Sequence, residues 1–410
     1  MNNSPWHLFE RFGIELEYMI VSKTTGKVLP HVDQVLGKDE NGENLSDVEH
    51  GDVGLSNELV SHVLEFKCAE PAKSFDGWSE RFHHEILEAN QKLSKIDAEL
   101  LPTAAHPFMD PMTETKLWPY DCNEIYEAYD RIFDCRGHGW ANLQSTHLNI
   151  SFSGDAEFGT LHAAIRLLLP LIPAMAASSP YLDGRYTGFK DARIETYRHN
   201  QEKIPSITGK VIPEAVFTEA DYNEKIFEVV KRDIAPFDPE HLLNHFFLNS
   251  RGAIARFDRG AIEIRLVDIQ ECPKADVAIA EFEMAILKAL AKGTFASLSA
   301  QKAFDTDRLV KILFATVKDA EEAEIRDAEY LKLFGIEKSE IQAKELLQIL
   351  FEKVRSEISA ESKAALEIIL RRGTLASALV KKLGNAPSRE AFVQEYAKLA
   401  RSLAQNTLYE

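Results

Sequence analysis

Four segments of the chain alternate apolar and polar residues with the two-residue period of a β-strand, in which neighbouring side chains point to opposite faces. These segments are residues 12–20, 59–67, 145–152 and 253–268. The last contains the turn sequence Asp258-Arg259-Gly260 and is therefore predicted as a β-hairpin. The alternation predicts antiparallel strands that bury one face and present polar side chains on the other.

Apolar residues at helical spacing occupy much of the remaining chain. Helices are predicted at residues 76–100, 157–177 and 275–292, and a long loop broken by a helix at residues 102–142. The most apolar run, residues 161–182, carries Pro170 and Pro173. It is predicted as a buried, kinked helix and not as a membrane span.

The C-terminal third has a different character from the rest of the chain. Helix patterns alternate with short breaks, at residues 307–320, 338–359, 361–371 and 388–405. No cluster of Glu, His, Asp or Arg on strands is found there. The pattern predicts an α+β protein, with a sheet-containing domain at residues 1–296 and a helical region at residues 297–410.

The composition narrows the function classes. A chain of 410 residues with 45% hydrophobic and 27% charged residues is typical of a folded globular protein. Its net charge of −18 and the lack of a Lys/Arg-rich run argue against a nucleic-acid binder. The four scattered cysteines suggest reduced thiols, and the N-terminus has no secretion signal, so a cytoplasmic protein is expected.

Glu15 and Glu17 lie two positions apart on the first predicted strand and therefore share its polar face. Two carboxylates roughly 7 Å apart repel each other unless water or a cation lies between them. Alone, the pair fits either a solvated edge strand or a metal site.

Other predicted strands supply further donors of the same kind. The candidate metal ligands are Glu15, Glu17, Glu58, Glu65, His147 and Glu263. Taken singly, His147 also fits a hydrogen-bonded sheet histidine, and Glu263 also fits an ion pair with Arg265. Four strands that all place charged groups on one face favour a shared ligand, and oxygen donors with one histidine suit Mg²⁺ or Mn²⁺ better than structural zinc.

Positive charge is concentrated in one segment of this acidic chain, residues 178–212. Its basic residues are Arg185, Lys190, Arg193, Arg198, Lys203 and Lys210. The chain has no Gly-x-x-x-x-Gly-Lys-[Ser/Thr] loop, and Gly137-His138-Gly139 lacks the third glycine of a dinucleotide turn.

Five ordered motifs resemble a known family. They are Gly13-Ile14-Glu15-Leu16-Glu17; Glu58 with Leu64-Glu65-Phe66; His147-Leu148-Asn149; Ser179-Pro180 with Gly184-Arg185-Tyr186-Thr187-Gly188; and Ile262-Glu263-Ile264-Arg265 with Asp268. Over roughly residues 11–275 the chain resembles the glutamate-cysteine ligases and related carboxylate-amine ligases of the glutamine synthetase-like superfamily. Each motif alone is weak, but five in the same order are specific.

The resemblance implies a curved antiparallel sheet that forms a funnel flanked by helices, with ATP entering one end and the amino-acid substrates the other. It also implies two metal sites. Glu17, Glu58 and Glu65 would hold one Mg²⁺, and Glu15, His147 and Glu263 would hold the ion that bridges the nucleotide phosphates. In the implied reaction a substrate carboxylate attacks the ATP γ-phosphate, and an amine then displaces phosphate from the acyl phosphate to form an amide.

Catalytic roles follow from the same resemblance. Arg265 is the first candidate for contacting the transferred phosphoryl group, with Glu263 beside it, while Arg185 and Arg256 are candidates for binding phosphate or a substrate carboxylate. The expected substrates are glutamate and cysteine, although no residues clearly mark a cysteine pocket.

Three other interpretations stay open at this point. The same fold acting on another carboxylate or amine is one, and a two-metal phosphohydrolase is another, since carboxylates with a histidine also suit metal-activated water. A non-catalytic regulatory protein is disfavoured because every proposed ligand is present. The oligomeric state is open, with a homo-oligomer among the options, and neither nucleic acid nor membrane is expected as a partner.

Overall fold

The predicted strands form one open antiparallel sheet in the computed structural model, which describes residues 6–409. In chain order the strands are β1 Phe12–Ser22, β2 Asp47–His50, β3 Val53–Asn57, β4 Val63–Cys68, β5 Ala98–Leu101, β6 Ser145–Ser151, β7 Tyr181–Leu182, β8 Arg185–Tyr186, β9 Ala253–Arg256, β10 Ala261–Asp268, β11 Glu324–Ile325 and β12 Ile341–Gln342. The main sheet has the order β2-β3-β4-β1-β6-β10-β9, and β5 also pairs with β1. The pairs β7-β8 and β11-β12 are separate.

Helices surround this sheet. In chain order they are α1 Asp33–Leu36, α2 Trp78–Ser94, α3 Pro111–Glu114, α4 Asn123–Phe133, α5 His138–Ala141, α6 Gly154–Leu168, α7 Ile172–Ala176, α8 Ala192–Tyr197, α9 Glu219–Tyr222, α10 Glu228–Ile234, α11 His245–Leu248, α12 Pro273–Ala291, α13 Leu298–Ala303, α14 Thr306–Asp319, α15 Ala328–Lys332, α16 Ala343–Val354, α17 Ala360–Arg372, α18 Leu375–Leu383 and α19 Arg389–Gln405. The predicted α+β class is confirmed.

The register of β1 sets the position of the polar residues. β1 pairs with β4 so that Glu17 lies opposite Glu65, and with β6 so that Glu15 lies opposite His147. β6 in turn pairs with β10, and the register shifts by a bulge between Ile264 and Val267. Bulges of this kind re-aim side chains and are common beside active sites.

The opposite face of the sheet is the core. Ile14, Leu16 and Tyr18 of β1 are fully buried, in a hydrophobic cluster that also contains residues of α6, α12, α16 and α17. Because this cluster contains residues from before and after position 296, the core is continuous between the sheet and the C-terminal helices. The domain boundary at residues 296/297 stays a prediction.

The buried, kinked helix predicted for the apolar run 161–182 is confirmed as far as Ala176, whereas Tyr181–Leu182 form the strand β7. α6 and α7 are separated by a short 3₁₀ turn at Leu169–Leu171, where Pro170 removes a backbone donor. By length and composition alone, Gly154–Ala176 qualifies as a candidate membrane span, but 94% of its apolar window is buried inside the protein. That burial is typical of a core helix.

Several predicted boundaries are wrong, including the start of the helix predicted at residues 338–359, where Ile341–Gln342 form β12 and α16 begins at Ala343. The helix predicted at residues 76–100 ends at Ser94, because Asp97 adopts a left-handed backbone with φ 58° and the chain then enters β5. The apolar spacing of Leu100 fits both a helix face and the inward face of this strand. The strand predicted at residues 59–67 begins only at Val63, since the chain turns between β3 and β4 before that residue.

Candidate active site

The sheet brings together five of the six predicted metal ligands on one face: Glu15, Glu17, Glu65, His147 and Glu263. All of them except Glu15 are buried, and Glu15 is partly exposed. Burying several carboxylates together is costly unless hydrogen bonds or cations compensate for it.

His147 lies at the centre of this group. Its Nδ1 is 2.7 Å from Oε2 of Glu15 and 3.7 Å from Oε1 of Glu263. Its Nε2 is 2.9 Å from Oγ of Ser145 and 3.7 Å from Oε1 of Glu17. One imidazole therefore faces carboxylates at both of its ring nitrogens.

The donor atoms form two overlapping groups. One consists of Glu15, His147 and Glu263, and the other of Glu17, Glu65 and His147; within each, the donor atoms lie within 4.8 Å of one another. The first group is the predicted nucleotide-side ligand set. The second contains two of the three residues predicted for the other ion. Oxygen donors with one imidazole fit Mg²⁺ or Mn²⁺.

Glu58, the sixth predicted ligand, follows β3 and lies outside both groups. Burial raises its pKa well above the ordinary value, and the charges of Glu17 and Glu65 raise it further. Burial also raises the pKa of Glu65 to about 7, with a contribution from the charge of Glu15. Glu58 is therefore close enough to share the electrostatic field of the cluster.

The pair of Glu15 and His147 behaves differently. Burial raises the pKa of Glu15, but the hydrogen bond to His147 and its charge, together with Arg265 and Asn149, hold it at about 2. Burial lowers the pKa of His147, yet the hydrogen bond with Glu15 and the charge of Glu17 leave it above its ordinary value. The ionised carboxylate of Glu15 and the protonated imidazole of His147 stabilise each other's charge.

Two cavities adjoin the carboxylates. The first, which we call the aromatic cavity, has a volume of about 310 Å³. Its lining includes Glu17, Glu58, Ser145, His147, Arg193, Arg265, Tyr126, Tyr129, Trp140, Tyr197 and Phe247. It combines acidic, cationic and aromatic side chains in one cleft.

The second, which we call the cationic cavity, has a volume of about 380 Å³. Its lining includes Trp6, Arg11, Glu15, Lys67, Cys68, Asn149, Ser151 and Arg259. Glu15 lines this cavity and Glu17 lines the aromatic cavity, so the two alternate carboxylates of β1 face different clefts.

The three predicted arginines have different surroundings. The Nε of Arg265 lies 2.9 Å from Oε1 of Glu263, and Arg265 lines the aromatic cavity. Arg256 is buried but paired with Asp258, its Nη2 being 2.9 Å from Oδ2. Arg185 is exposed on β8 and lines neither cavity, so the structure does not bring it to the carboxylates.

Arg193 and Tyr197 were not singled out as site residues by the sequence analysis. Both lie on α8, within the basic segment 178–212. Arg193 is buried, its Nε lies 2.5 Å from Oδ1 of Asp268, and its Nη2 donates to the carbonyl of Arg265 at 3.2 Å. Tyr197 lies one helical turn later, and its buried hydroxyl has no hydrogen-bond partner among the described residues.

Three other cations of this segment are engaged by groups outside the cavity. Arg198 pairs with Glu195, Lys210 pairs with Asp307, and Lys203 donates to the carbonyl of Ile132. Of the basic residues in segment 178–212, Arg193 is one that lines the aromatic cavity. The sequence pattern alone does not distinguish Arg193 from the other basic residues of the segment.

Comparison with known proteins gives a family match. Residues 11–371 match the model of glutamate-cysteine ligase family 2 (GCS2). An uncharacterised protein of Archaeoglobus fulgidus is 32% identical over 403 residues, which cover 97% of this chain and 99% of that protein. A Rubrobacter xylanophilus protein with the provisional name glutamate–cysteine ligase 2-1 is 26% identical over 190 residues, covering 45% of this chain and 46% of that protein.

Two solved structures have a similar fold. Glutamate–cysteine ligase from Francisella tularensis, in complex with AMP, aligns with a TM-score of 0.60 at 14% identity, over 97% of this chain and 88% of that chain. A bifunctional glutathione synthetase from Pasteurella multocida aligns with a TM-score of 0.62 at 14% identity, over 97% of this chain and 53% of that chain. At this identity the likeness concerns the fold.

Proposed function

The chain belongs to glutamate-cysteine ligase family 2, a family of carboxylate-amine ligases, and we propose that it is an ATP- and Mg²⁺-dependent enzyme that joins the γ-carboxylate of glutamate to an amine. The family name points to cysteine as the amine. The proposal places the chemistry at the carboxylate cluster of the sheet, between the two cavities.

One observation carries this proposal. Glu15 and Glu17 are two positions apart on β1, yet Glu15 lines the cationic cavity and Glu17 the aromatic cavity. A reaction between a nucleotide and an amino acid needs two adjoining compartments that meet at a centre of charge neutralisation. The placement of Glu15 and Glu17 in two adjoining cavities meets this requirement and so supports the proposed ligase.

The nucleotide is assigned to the cationic cavity. Arg11, Lys67 and Arg259 line it, and cationic side chains are the natural partners of phosphate oxygens. The amino acids are assigned to the aromatic cavity. Arg193 lines that cavity, and Asp268 together with the carbonyl of Arg265 holds its guanidinium in place, which suits a substrate carboxylate.

The residues present fit a pair of divalent cations. Glu15, His147 and Glu263 would hold the ion on the nucleotide side, and Glu17 and Glu65 the ion on the amino-acid side. Glu58, which lies outside both donor groups but in the electrostatic field of Glu17 and Glu65, is proposed as a further ligand of the second ion. When bound, such ions neutralise phosphate charge and fix the geometry of the reactants.

Arg265 is the side chain best placed to act on the transferred group. Its guanidinium is oriented by Glu263 and lies in the lining of the aromatic cavity. The positive charge of Glu263-bound Arg265 would stabilise the negative charge that develops on the equatorial oxygens during phosphoryl transfer.

The reaction has two balanced steps. An oxygen of the γ-carboxylate forms a bond to the γ-phosphorus of ATP, the bond from that phosphorus to the β,γ-bridging oxygen breaks, and ADP leaves. The nitrogen of a neutral amine then bonds to the acyl carbon, the bond from carbon to the phosphate oxygen breaks, and phosphate leaves with the electron pair. The amine nitrogen loses one proton to the departing phosphate or to water.

The test is the dependence of ADP formation on the substrates. The full chain is incubated with ATP and Mg²⁺ alone, with glutamate added, and with glutamate plus each of a panel of amines that includes cysteine. We expect ADP formation to require glutamate and an amine, with one amide formed per ADP by mass spectrometry. ADP formation that no amino acid or amine stimulates would reject the ligase, and cleavage of phosphate esters without ATP would favour a hydrolase.

A further inference from the structure

A cluster of aromatic rings forms part of the lining of the aromatic cavity. The ring centroids of Tyr129 and Trp140 are 5.6 Å apart, and Trp140 also lies 5.6 Å from Phe133 behind it. These rings are packed against each other and against the hydrophobic cluster that contains Ile132 and Ile204. They therefore form a preorganised apolar surface within the cleft.

The hydroxyl groups of Tyr129 and Tyr126 already have partners in the protein. The hydroxyl of Tyr129 donates to the carbonyl of Phe247 at 3.1 Å. The hydroxyl of Tyr126 accepts a hydrogen bond from Nδ2 of Asn57, also at 3.1 Å. The faces of the packed rings offer no hydrogen bond to a polar ligand group, which would lose its hydrogen bonds to water there, so this part of the cavity favours an apolar group.

Hydroxyl and guanidinium donors in the same cavity belong to a different set of residues. The buried hydroxyl of Tyr197 has no hydrogen-bond partner among the described residues, and the guanidinium of Arg265 is in an ion pair with Glu263. Arg193 adds a buried guanidinium. These three groups suit the anionic parts of the reactants, which leaves the ring surface for the remaining substituent.

Phe247 adds exposed apolar surface to the lining of the aromatic cavity. It lines the cavity and is 57% exposed, the second most exposed of the large hydrophobic side chains in the described chain. Exposed aromatic surface continuous with a cleft is typical of a surface that a ligand covers.

We propose that the amine substrate carries an aromatic ring that packs on Tyr129 and Trp140, a specificity that rests on the ligase function proposed above. The side chain of cysteine is too short to fill this surface, and an unfilled apolar surface forfeits dispersion contacts. A ring in offset or edge-to-face contact with Tyr129 and Trp140 fills it. The reaction is unchanged: the amine nitrogen bonds to the acyl carbon, phosphate leaves, and the nitrogen releases one proton.

The experiment compares amines in pairs that differ by a ring. With ATP, Mg²⁺ and glutamate held constant, amine-dependent ADP formation is measured for phenylalanine against 2-aminobutyrate and cysteine, and for 2-phenylethylamine against propylamine. We expect the ring-bearing amine of at least one pair to have a kcat/KM at least about tenfold higher, as apolar contacts of this size provide.

Variants connect that preference to the rings. Trp140→Leu and the exposed-site variant Phe247→Ala should each reduce the preference for the ring at least about threefold, while Phe237→Leu, an exposed phenylalanine outside the cavity, should leave it unchanged. Thermal unfolding of each variant verifies that it is folded.

The outcomes separate this inference from the ligase proposal. Amine-dependent ADP formation with no ring preference in either pair, or a ring preference that survives both Trp140→Leu and Phe247→Ala, overturns the aromatic-amine assignment and keeps the ligase. ADP formation that no amine stimulates overturns the ligase and this inference with it.

Discussion

The Nδ1 of His147 lies 2.7 Å from Oε2 of Glu15, across directly paired positions of β6 and β1 that are 132 residues apart in the chain. This contact joins the two strands at the residue that both donor groups share. His147 belongs to the group with Glu15 and Glu263 and to the group with Glu17 and Glu65. A change at either residue should therefore disturb the whole cluster.

Removing one carboxylate charge from the cluster should abolish turnover without unfolding the protein. We expect Glu15→Gln and Glu263→Gln each to lower kcat by at least about 100-fold, because each side chain supplies a donor atom to the same group. The amide keeps the volume of the carboxylate, so thermal unfolding should change little.

A matched control for these variants is Glu329→Gln, on an exposed carboxylate paired with Lys332. It should retain the activity of the unaltered protein. Near-normal activity in both Glu15→Gln and Glu263→Gln would contradict the metal assignment.

Cation binding should strengthen as the pH rises. Burial and neighbouring charges raise the pKa of Glu65 to about 7, so a proton must leave this carboxyl before a cation binds at neutral pH. We expect the affinity for Mn²⁺, measured by calorimetry, to increase roughly tenfold between pH 6 and pH 8, with proton release on binding. An affinity that is constant over this range would show that Glu65 is not a ligand.

The planar shape of the guanidinium should be needed for activity at Arg265 and not at Arg185. Arg265 lines the cavity and is oriented by Glu263, whereas Arg185 is exposed on β8. We expect Arg265→Lys to lower kcat by about 100-fold or more with a smaller effect on the KM for glutamate, because lysine cannot reproduce a planar, two-point contact.

Arg185→Lys provides the comparison, and its kcat and KM should stay within about twofold of the unaltered protein, as for most surface substitutions. A large loss of activity in Arg185→Lys would restore the phosphate-binding or carboxylate-binding role predicted for Arg185 from the sequence motif.

Glu283, a buried carboxyl group in α12, should make the stability of the protein fall with rising pH. Glu283 is fully buried, neither oxygen has a hydrogen-bond partner among the described residues, and burial raises its pKa from 4.5 to about 8. Since the folded pKa exceeds the unfolded one, the stabilising effect of the bound proton is complete below about pH 4.5 and is lost as the pH rises towards 8.

Urea unfolding at pH 5 and pH 8.5 measures this effect. We expect the unaltered protein to lose roughly 4 kcal/mol more than Glu283→Gln between these two pH values. The exposed Glu352→Gln serves as the control and should follow the unaltered protein. Equal pH dependence in Glu283→Gln and the unaltered protein would show that Glu283 is not the responsible group.

The sequence contains enough information to place the strands and their polar faces, because alternation is a local property. It identifies Glu15, Glu17 and His147 as members of one face, and the register of β1 then brings them together. β5 escaped prediction because the apolar spacing at residues 96–100 continues that of α2, and only the backbone at Asp97 separates the two elements.

The cavity residues were harder to predict, because their roles depend on contacts between distant segments. Arg193 and Arg198 are both basic residues in or directly after α8. Asp268, 75 residues away, fixes Arg193 at the cavity, while Glu195 on the same helix pairs with Arg198. No local pattern distinguishes the two arginines. The aromatic surface likewise unites Tyr129 of α4 with Trp140 of α5 and Phe247 of α11.

The most direct test of the proposed ligase chemistry is to follow oxygen from glutamate. Glutamate labelled with ¹⁸O in its γ-carboxylate is converted in the presence of ATP, Mg²⁺ and an amine that stimulates ADP formation, and the released phosphate is analysed by mass spectrometry. If an acyl phosphate forms at this site, one ¹⁸O atom appears in each phosphate released. Phosphate that contains oxygen only from ATP and water would contradict the carboxylate-amine ligase mechanism.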